Sequence, residues 1–378
     1  MKNYFFIILL FLYAISQAQI GFISGIEGAG NLIINGDYIY VAQDNIGPVN
    51  SNNDKISKID ITSNPPIVTE VATGLNKPSG LVFNGNDLYF SEIGDNSFGG
   101  GKLSKIDITD PELIVNEVLS GLYNPYGLVI NGNDLYLAEF QKSRIIKIDI
   151  TESFPTISEV IAGIRPFGLV VNGNDMYISQ WIIGEPKISK IDITLETPTI
   201  SDVISTEGLF PFGLTLKDNN LFMVGYDQQV SRNRLFRFDI TSSSPIIIVK
   251  DLTSIGIFGP RGFVINGNDA YISERGPQRI SKFDFDLLLS TDNISLKDEF
   301  KIYPNPVKNV LNLSSDLPIE LIKIYSLQGQ LIQVTSENQI DVSLLSSGLY
   351  FVSIIVDGEN IVKKFIKNWY IRWVTKYI

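Results

Sequence analysis

The sequence predicts an all-β protein, in which residues 19–286 form a six-bladed β-propeller and residues 300–367 form a small Ig-like β-sandwich. Three observations predict this fold class: a hairpin motif that recurs six times, a second strand motif in each repeat, and a change of pattern after residue 299. A period of about 40–50 residues, with several strands in each repeat, is typical of propellers.

The hairpin motif is clearest at residues 125–136, where it reads Pro-Tyr-Gly-Leu-Val-Ile-Asn-Gly-Asn-Asp-Leu-Tyr. An Asn-Gly pair between two apolar runs is the strongest short signal for a β-hairpin. Close copies lie at residues 78–89, 166–177 and 260–271, and weaker ones at 211–222 and 31–40. The copies are 41 to 49 positions apart, as measured between their closing aromatic residues, Tyr40, Tyr89, Tyr136, Tyr177, Phe222 and Tyr271.

The second motif reads Lys-Ile-Asp-Ile-Thr at residues 58–62, 105–109, 147–151 and 190–194, with variants at 237–241 and 282–286. Apolar and polar residues alternate in it, so it predicts a strand with one face buried. A turn and another apolar run follow in most repeats. Each repeat therefore contains four strands, and six repeats make six blades.

The sixth repeat has no convincing fourth strand of its own. Residues 22–26, Phe-Ile-Ser-Gly-Ile, align with residues 118–122, Val-Leu-Ser-Gly-Leu, which are the fourth strand of another repeat. We therefore predict that residues 22–26 form the outermost strand of the last blade, so that both ends of the repeat region close the ring.

This pattern resembles the six-bladed propellers of the NHL and YWTD types. The similarity lies in the Pro-x-Gly-Leu start of the first strand, the Asn-Gly turn and the Tyr-x-x-acid end of the second strand. No repeat carries the Trp-Asp pair of WD40 propellers. The resemblance implies a repeat protein with this fold and says little about function.

Composition excludes several kinds of chemistry. The net charge is −11, which argues against a nucleic-acid partner because phosphate contacts require a basic surface. The chain has no His, which excludes a Ser-His-Asp triad and imidazole metal ligands, and no Cys, which excludes disulfides.

The first 18 residues have the pattern of a signal peptide. Met1 and Lys2 precede an apolar run at residues 4–15, and Ser-Gln-Ala at residues 16–18 predicts cleavage before Gln19. The alternative is a membrane anchor, but the apolar run is short for a transmembrane helix. No other segment is apolar and long enough to span a membrane, so we expect no transmembrane segment in the mature protein.

Residues 287–299 are predicted to be a linker. The next 68 residues contain Tyr-Pro-Asn-Pro at 303–306, Ser-Gly-Leu-Tyr at 347–350 and a terminal Lys-Phe-Ile-Lys at 364–367. This module resembles the type A C-terminal sorting domain of the type IX (Por) secretion system. The resemblance implies a Bacteroidetes-type bacterium, export to the surface or medium, and the secretion machinery as a partner. Residues 368–378 continue past the usual end and form an atypical tail.

Two sets of residues are predicted to surround the mouth of the propeller. One set ends the second strands and is called the closing set here: Gln43, Glu92, Glu139, Gln180, Gly225 and Glu274. The other set precedes the glycine of each Pro-x-Gly and is called the x set: Ser79, Tyr126, Phe167, Phe212 and Arg261. We predict ligand contacts at Tyr126, Phe167, Phe212 and Arg261 of the x set, and at Trp181 and Tyr226. Residues that break the repeat on or beside the same face are the more informative candidates: Trp181, Tyr226, Gln228, Arg232, Arg234, Arg261 and Arg275. Repeated carboxylates are more readily explained as ties within the fold, although Glu92, Glu139 and Glu274 are also candidate metal ligands.

Three functions fit these features. The one we favour is a non-catalytic, exported propeller that binds a glycan, peptide or small molecule at the cell surface or in the medium. The alternative is a calcium-dependent hydrolase, since lactonases on six-bladed propellers hold their metal with acidic and amide side chains. Virginiamycin-type lyases share the fold but rely on His, which is missing here. The third is a purely structural surface protein.

Overall fold

The structure is a computed structural model that describes residues 19–44, 54–95, 98–152, 155–182, 186–205, 209–228, 231–241, 248–289, 301–314, 319–326, 331–356 and 359–367. The predicted signal peptide, the tail at 368–378 and linker residues 290–299 lie outside these ranges. The chain divides into two compact units after Leu289.

The first unit contains six antiparallel sheets of four strands each. Blade 1 consists of β2 (Ala29–Asn35), β3 (Tyr38–Gln43), β4 (Asp54–Asp60) and β5 (Ile67–Leu75). Blade 2 consists of β6 (Pro78–Asn84), β7 (Asp87–Glu92), β8 (Gly101–Asp107) and β9 (Asn116–Leu122). Blade 3 consists of β10 (Pro125–Asn131), β11 (Asp134–Glu139), β12 (Arg144–Asp149) and β13 (Ile157–Ala162).

The remaining blades repeat this order. Blade 4 consists of β14 (Pro166–Asn172), β15 (Asp175–Gln180), β16 (Lys187–Asp192) and β17 (Ser201–Ser205). Blade 5 consists of β18 (Leu209–Lys217), β19 (Asn220–Asp227), β20 (Arg232–Asp239) and β21 (Ile248–Asp251). Blade 6 consists of β22 (Pro260–Asn266), β23 (Asp269–Glu274), β24 (Arg279–Asp284) and, at its outer edge, β1 (Gln19–Ser24).

The N-terminal strand closes the ring, as predicted. Strand β1 pairs antiparallel with β24, with Ile23 opposite Ile280. The first strands of successive blades contact one another around the ring, and the circle is completed by the contact of β22 with β2. The predicted six-bladed propeller with its N-terminal closing strand is confirmed.

The apolar core lies between neighbouring blades. Tyr40 and Ile56 of blade 1, for example, pack in one buried cluster with Leu88, Phe90 and Ile106 of blade 2. The aromatic residue that marks each hairpin in the sequence is therefore a core residue. In blade 1 this residue is Tyr40, and burial raises its pKa to about 12. The period of the repeat is set by the need to fill each gap between blades with one such cluster.

The Pro-x-Gly motif forms a β-bulge in the first strand of its blade. In blade 3, Pro125 lies opposite Glu139 but Leu128 lies opposite Leu137, so the first strand has one extra residue. Glycine is required after x because the next blade lies very close. A Cβ added to Gly80 would lie 2.1 Å from the carbonyl oxygen of Tyr126.

Serines that directly precede a closing-set residue connect neighbouring blades. Ser91 Oγ accepts a hydrogen bond from the Gly80 amide at 2.8 Å and donates to the Tyr126 carbonyl at 2.9 Å. Ser273 Oγ makes the same contacts to the Gly262 amide and the Gly30 carbonyl, and thereby joins the last blade to the first.

The Lys-Ile-Asp-Ile-Thr strands alternate as predicted. In blade 2, Ile106 is fully buried, while Lys105 forms an ion pair with Asp87 on the neighbouring strand at 2.7 Å. Asp107 accepts hydrogen bonds from the amide and hydroxyl of Thr109, which lower the pKa of its carboxyl. The Asp and Thr of the motif thus form an Asx turn that ends the strand.

The short helix α1 (Phe285–Leu289) follows the last propeller strand. Phe285 and Leu288 are buried in a cluster with Phe222 and Phe263. The sequence analysis began the linker at Leu287, because acidic and polar residues soon interrupt the apolar pattern there. The structure instead extends ordered packing to Leu289.

The second unit consists of two antiparallel sheets. Strands β25 (Lys301–Tyr303), β26 (Val310–Ser314) and β29 (Gln339–Asp341) form one sheet. Strands β28 (Leu331–Thr335), β27 (Ile319–Ser326), β30 (Gly348–Val356) and β31 (Glu359–Lys367) form the other, in this spatial order. Both sheets contribute to one buried core, as Leu311 and Ile340 of the first do with Ile324 and Val352 of the second. This arrangement is the predicted small sandwich.

The Tyr-Pro-Asn-Pro segment is joined to the last strand. The Asn305 side-chain oxygen accepts a hydrogen bond from the Ile366 amide at 2.9 Å, and the Val307 amide donates to the Ile366 carbonyl at 2.8 Å. The first and last motifs of the module are therefore parts of one structural element. Within the described ranges, the structure has no helix long and apolar enough to cross a membrane.

Candidate functional site

A cavity of about 390 Å³ lies where the first strands of the six blades meet. It is lined by the residue before the Pro-x-Gly glycine in every blade, or by its equivalent in blade 1: Gly30, Ser79, Tyr126, Phe167, Phe212 and Arg261. The bulge in each first strand turns these residues out of the regular alternation, and bulges commonly re-aim side chains next to sites. The x set is thus brought together as the sequence analysis expected.

The cavity wall differs from blade to blade. At the position before the glycine, blades 1 and 2 have small residues, blades 3 to 5 have aromatic rings, and blade 6 has a cation. The rings of Tyr126 and Phe167 are stacked with their centroids 4.4 Å apart, and Phe212 meets Phe167 edge-on at 6.4 Å. The Arg261 guanidinium lies 4.0 Å from the centre of the Phe212 ring. We call Tyr126, Phe167 and Phe212 the aromatic arc.

A second repeat position also contributes to the cavity. It directly follows the closing set, and it supplies Asp44, Ile93, Trp181 and Arg275. The sequence analysis identified Trp181 as a ligand contact and Arg275 as a residue that breaks the repeat on this face, but it named neither Asp44 nor Ile93 as a ligand contact. Treating the position after the closing set as another variable repeat position would have found them.

Blade 5 departs from the sequence prediction. Tyr226 holds the equivalent second position, but it is half-buried and does not line the cavity. Its place is taken by Phe210 on the paired strand β18, which meets the Trp181 ring edge-on at 5.1 Å. The physical reason is that the β18–β19 hairpin is longer at this end than in the other blades, with Phe210 opposite Tyr226. Phe210 belongs to this extension and has no counterpart in the other blades.

Of the residues that the structure describes, three charged ones line the cavity, two arginines and one aspartate. Arg275 forms an ion pair with Asp44, with 2.9 Å between Nη2 and Oδ2. Burial, together with the charge of Arg275, lowers the pKa of Arg261 to about 10. Burial and the charge of Asp44 raise the pKa of Tyr126, so its hydroxyl keeps its proton and can donate a hydrogen bond.

The carboxylates of the closing set are buried and bonded to their own blades. Glu92 accepts hydrogen bonds from the Asn76 amide at 2.8 Å and from Ser104 Oγ at 3.3 Å. Glu139 accepts from the Tyr123 amide at 3.0 Å and pairs with the Arg144 side chain at 2.6 Å. These carboxylates therefore fix the segment that enters each blade.

Glu274 has the same role in the last blade. It accepts hydrogen bonds from the Phe258 amide at 2.9 Å, from Ser281 Oγ at 2.6 Å and from Arg279 Nε at 2.8 Å. Gln43 and Gln180 replace the carboxylate in blades 1 and 4, and each bonds a serine of the third strand. None of the closing set lines the cavity.

The described residues provide no cluster of metal ligands. Glu92, Glu139 and Glu274 lie in three different blades, and no group of three or more acidic side chains in the described ranges could hold an ion. Most of the Asn-rich loop between Asp44 and Asp54 lies outside those ranges. Calcium binding remains a prediction from sequence.

Comparison with known families identifies the C-terminal module. Residues 301–368 match the family described as "Secretion system C-terminal sorting domain". This is the module that the sequence analysis compared with type A sorting domains of the type IX secretion system. The match supports export to the cell surface or the medium. No curated protein matches the chain.

Solved structures similar to this chain are propellers. A structure titled as the nidogen/laminin complex is 15% identical, with a TM-score of 0.51, and the match covers 70% of this chain and 92% of that chain. The aldose sugar dehydrogenase from Streptomyces coelicolor is 13% identical, with a TM-score of 0.51, and the match covers 70% of this chain and 96% of that one. At this level of identity the similarity shows the fold alone. The chain is thus a six-bladed β-propeller that is followed, at residues 301–368, by a secretion system C-terminal sorting domain.

Proposed function

We propose that this protein is an exported, non-catalytic binding protein whose ligand, or one end of it, occupies the cavity at the propeller mouth. The observation that carries the proposal is the convergence of the x set. Six equivalent positions from six blades meet at one cavity, and their residues differ while the strands that hold them repeat. Packing of a repeat does not require such differences, whereas recognition of an asymmetric ligand does.

The cavity has the properties of a small-molecule site. Its volume of about 390 Å³ is sufficient for a ligand of one or two rings, and such pockets are commonly lined by aromatic side chains with a few polar groups. Tyr126, Phe167, Phe212 and Trp181 are only partly buried, so their rings keep contact with water. A ligand that covers them would gain hydrophobic and stacking energy.

The C-terminal module supports the location of this activity. A sorting domain at residues 301–368 supports export, and we propose that the propeller then meets glycans, peptides and small molecules outside the cell. We propose that the signal peptide is removed before Gln19 and that the sorting domain is removed during export. Mass spectrometry of the protein recovered from the producing cells would find a chain that begins at Gln19 and ends before residue 301.

The binding proposal can be tested with variants of the full mature chain in which one aromatic side chain of the cavity is replaced by alanine. Glycan, peptide and metabolite collections would be screened for ligands by thermal shift. We expect that Trp181→Ala and Phe167→Ala each weaken binding of the strongest ligand by about tenfold or more, since loss of one stacked ring costs roughly 1–2 kcal/mol. Neither change should lower the stability in proportion.

Phe98→Ala is the matched control. Phe98 is an aromatic residue with 81% of its surface exposed, and it does not line the cavity. Its removal should leave binding unchanged. Equal binding by wild type, Trp181→Ala and Phe167→Ala would show that the cavity is not the site.

A further inference from the structure

The charges in the cavity are unequally compensated, which points to the class of ligand. Arg275 has Asp44 as a partner at 2.9 Å. Arg261 forms no ion pair with any residue of the described ranges, although it lies in the same cavity. Among the described residues, the lining therefore has one uncompensated positive charge, in a chain whose net charge is −11.

The guanidinium of Arg261 also has an unused donor. Its Nε is buried and has no hydrogen-bond partner. A buried donor without an acceptor costs free energy, and so does a buried charge without a counter-ion. The same surroundings make an arriving anion more favourable, because the attraction between opposite charges is stronger away from water.

The neighbours of Arg261 define the rest of the ligand. Its guanidinium covers one end of the aromatic arc, 4.0 Å from the Phe212 ring, so a group bound to Arg261 lies beside aromatic surfaces. In blades 1 and 2, which do not contribute to the aromatic arc, Gly30 and Ser79 are small and leave space. A compact ring joined to an anionic group would match both features.

A carboxylate fits better than a phosphate. A guanidinium binds a carboxylate with two parallel hydrogen bonds. A dianion would need a second available cation, but Arg275 is already paired with Asp44, whose negative charge also faces the cavity. One uncompensated positive charge corresponds to one negative charge on the ligand.

We propose that the cavity binds a ligand that carries a single carboxylate on a flat-faced ring, with the carboxylate on Arg261 and the ring against the aromatic arc. This inference rests on the proposed function. Two sources share this chemistry, aromatic acids and uronic acid sugars, and the experiment distinguishes them.

The sequence provides a local reporter. The chain has three tryptophans: Trp181, which lines the cavity, and Trp369 and Trp373, which lie outside the described ranges. The chain from Gln19 to Ile378, with the sorting domain still attached and with Trp369→Phe and Trp373→Phe, would report binding through Trp181 fluorescence. It would be titrated with phenylacetate against phenylacetamide, and with galacturonate against galactose.

We expect one acid to bind with a Kd about tenfold or more below that of its neutral partner, and the pair that shows this identifies the source. Arg261→Met should remove the difference between acid and neutral compound. Lys217→Met is the matched control, because Lys217 also lies over an aromatic ring, 4.3 Å from Phe285, but outside the cavity lining. It should keep the full preference.

Three results would overturn the inference. Equal affinity for acid and neutral compound, or an acid preference that survives Arg261→Met, would remove the carboxylate from Arg261 and leave cavity binding itself in place. If none of the four compounds changes Trp181 fluorescence, the ligand class is wrong. The ligand screen with Trp181→Ala and Phe167→Ala is a separate test of whether the cavity binds any ligand.

Discussion

The closing set and the x set lie on paired strands at the same end of the propeller, yet they have different roles. Pro260 of β22 lies directly opposite Glu274 of β23, and Arg261 is the next residue. Glu274 is fully buried and bonded within its own blade, whereas Arg261 lines the cavity and has no ion-pair partner in the described ranges. The difference teaches that a repeated polar residue here is structural, whereas a residue that varies between blades is a candidate for function.

The strongest test of this contrast is to remove Glu274. Its loss would leave Arg279 without its main ionic partner and the Phe258 amide without an acceptor. Breaking a buried ion pair from one side costs roughly 3–5 kcal/mol, so we expect Glu274→Ala to lower the free energy of unfolding by about 3 kcal/mol. Urea denaturation of the full mature chain measures this.

Glu274→Gln is the control, since an amide occupies the same position in blades 1 and 4 as Gln43 and Gln180. It should lose less stability than Glu274→Ala. A loss below about 1 kcal/mol for Glu274→Ala would contradict the structural role of the closing set.

A smaller effect is expected from replacing the glycine that directly follows the x residue, for example Gly80 after Ser79. An added Cβ at Gly80 would lie 2.1 Å from the Tyr126 carbonyl oxygen, whereas at Gly168 the equivalent carbonyl, of Phe212, is 3.6 Å away. We expect Gly80→Ala to lower the free energy of unfolding by about 2 kcal/mol, because neighbouring blades must separate. Thermal denaturation of Gly80→Ala and Gly168→Ala compares them directly. Equal melting temperatures for the two variants would show that the close approach of the blades is not what requires glycine.

The smallest effect should have the opposite sign. Burial lowers the pKa of Arg261, so the unfolded chain holds this proton more readily than the folded one. The buried charge therefore destabilises the fold at every pH below about 10, and this penalty fades as the pH rises through that value. We expect Arg261→Met to stabilise the protein by about 1 kcal/mol at neutral pH, since the partial exposure of Arg261 and its contact with Phe212 reduce the gain.

The stability difference between wild type and Arg261→Met would be followed by urea denaturation at pH 7 and at pH ~11, above the lowered pKa of Arg261, which is about 10. It should shrink at the higher pH. A variant less stable than wild type at pH 7 would mean that Arg261, like Glu274, serves the fold. Greater stability together with lost acid binding is the pattern expected of a functional residue.

The sequence by itself determined the repeat, the number of blades and the strand that closes the ring. These depend on local features: the Asn-Gly turns, the alternation in Lys-Ile-Asp-Ile-Thr and the likeness of residues 22–26 to a fourth strand. It also predicted that the x set would surround the mouth and identified the motifs of the C-terminal module, which the family match confirms.

Only the tertiary structure decided which side chains share the cavity and which are neutralised. Asp44 and Arg275 are far apart in the chain and meet because blade 6 closes on blade 1. Phe210 replaces Tyr226 because one hairpin is longer than its counterparts, which a repeat pattern does not reveal. Strand patterns are local and record which face of a strand is buried. Charge compensation and cavity lining depend on contacts between blades, which exist only once the ring has closed.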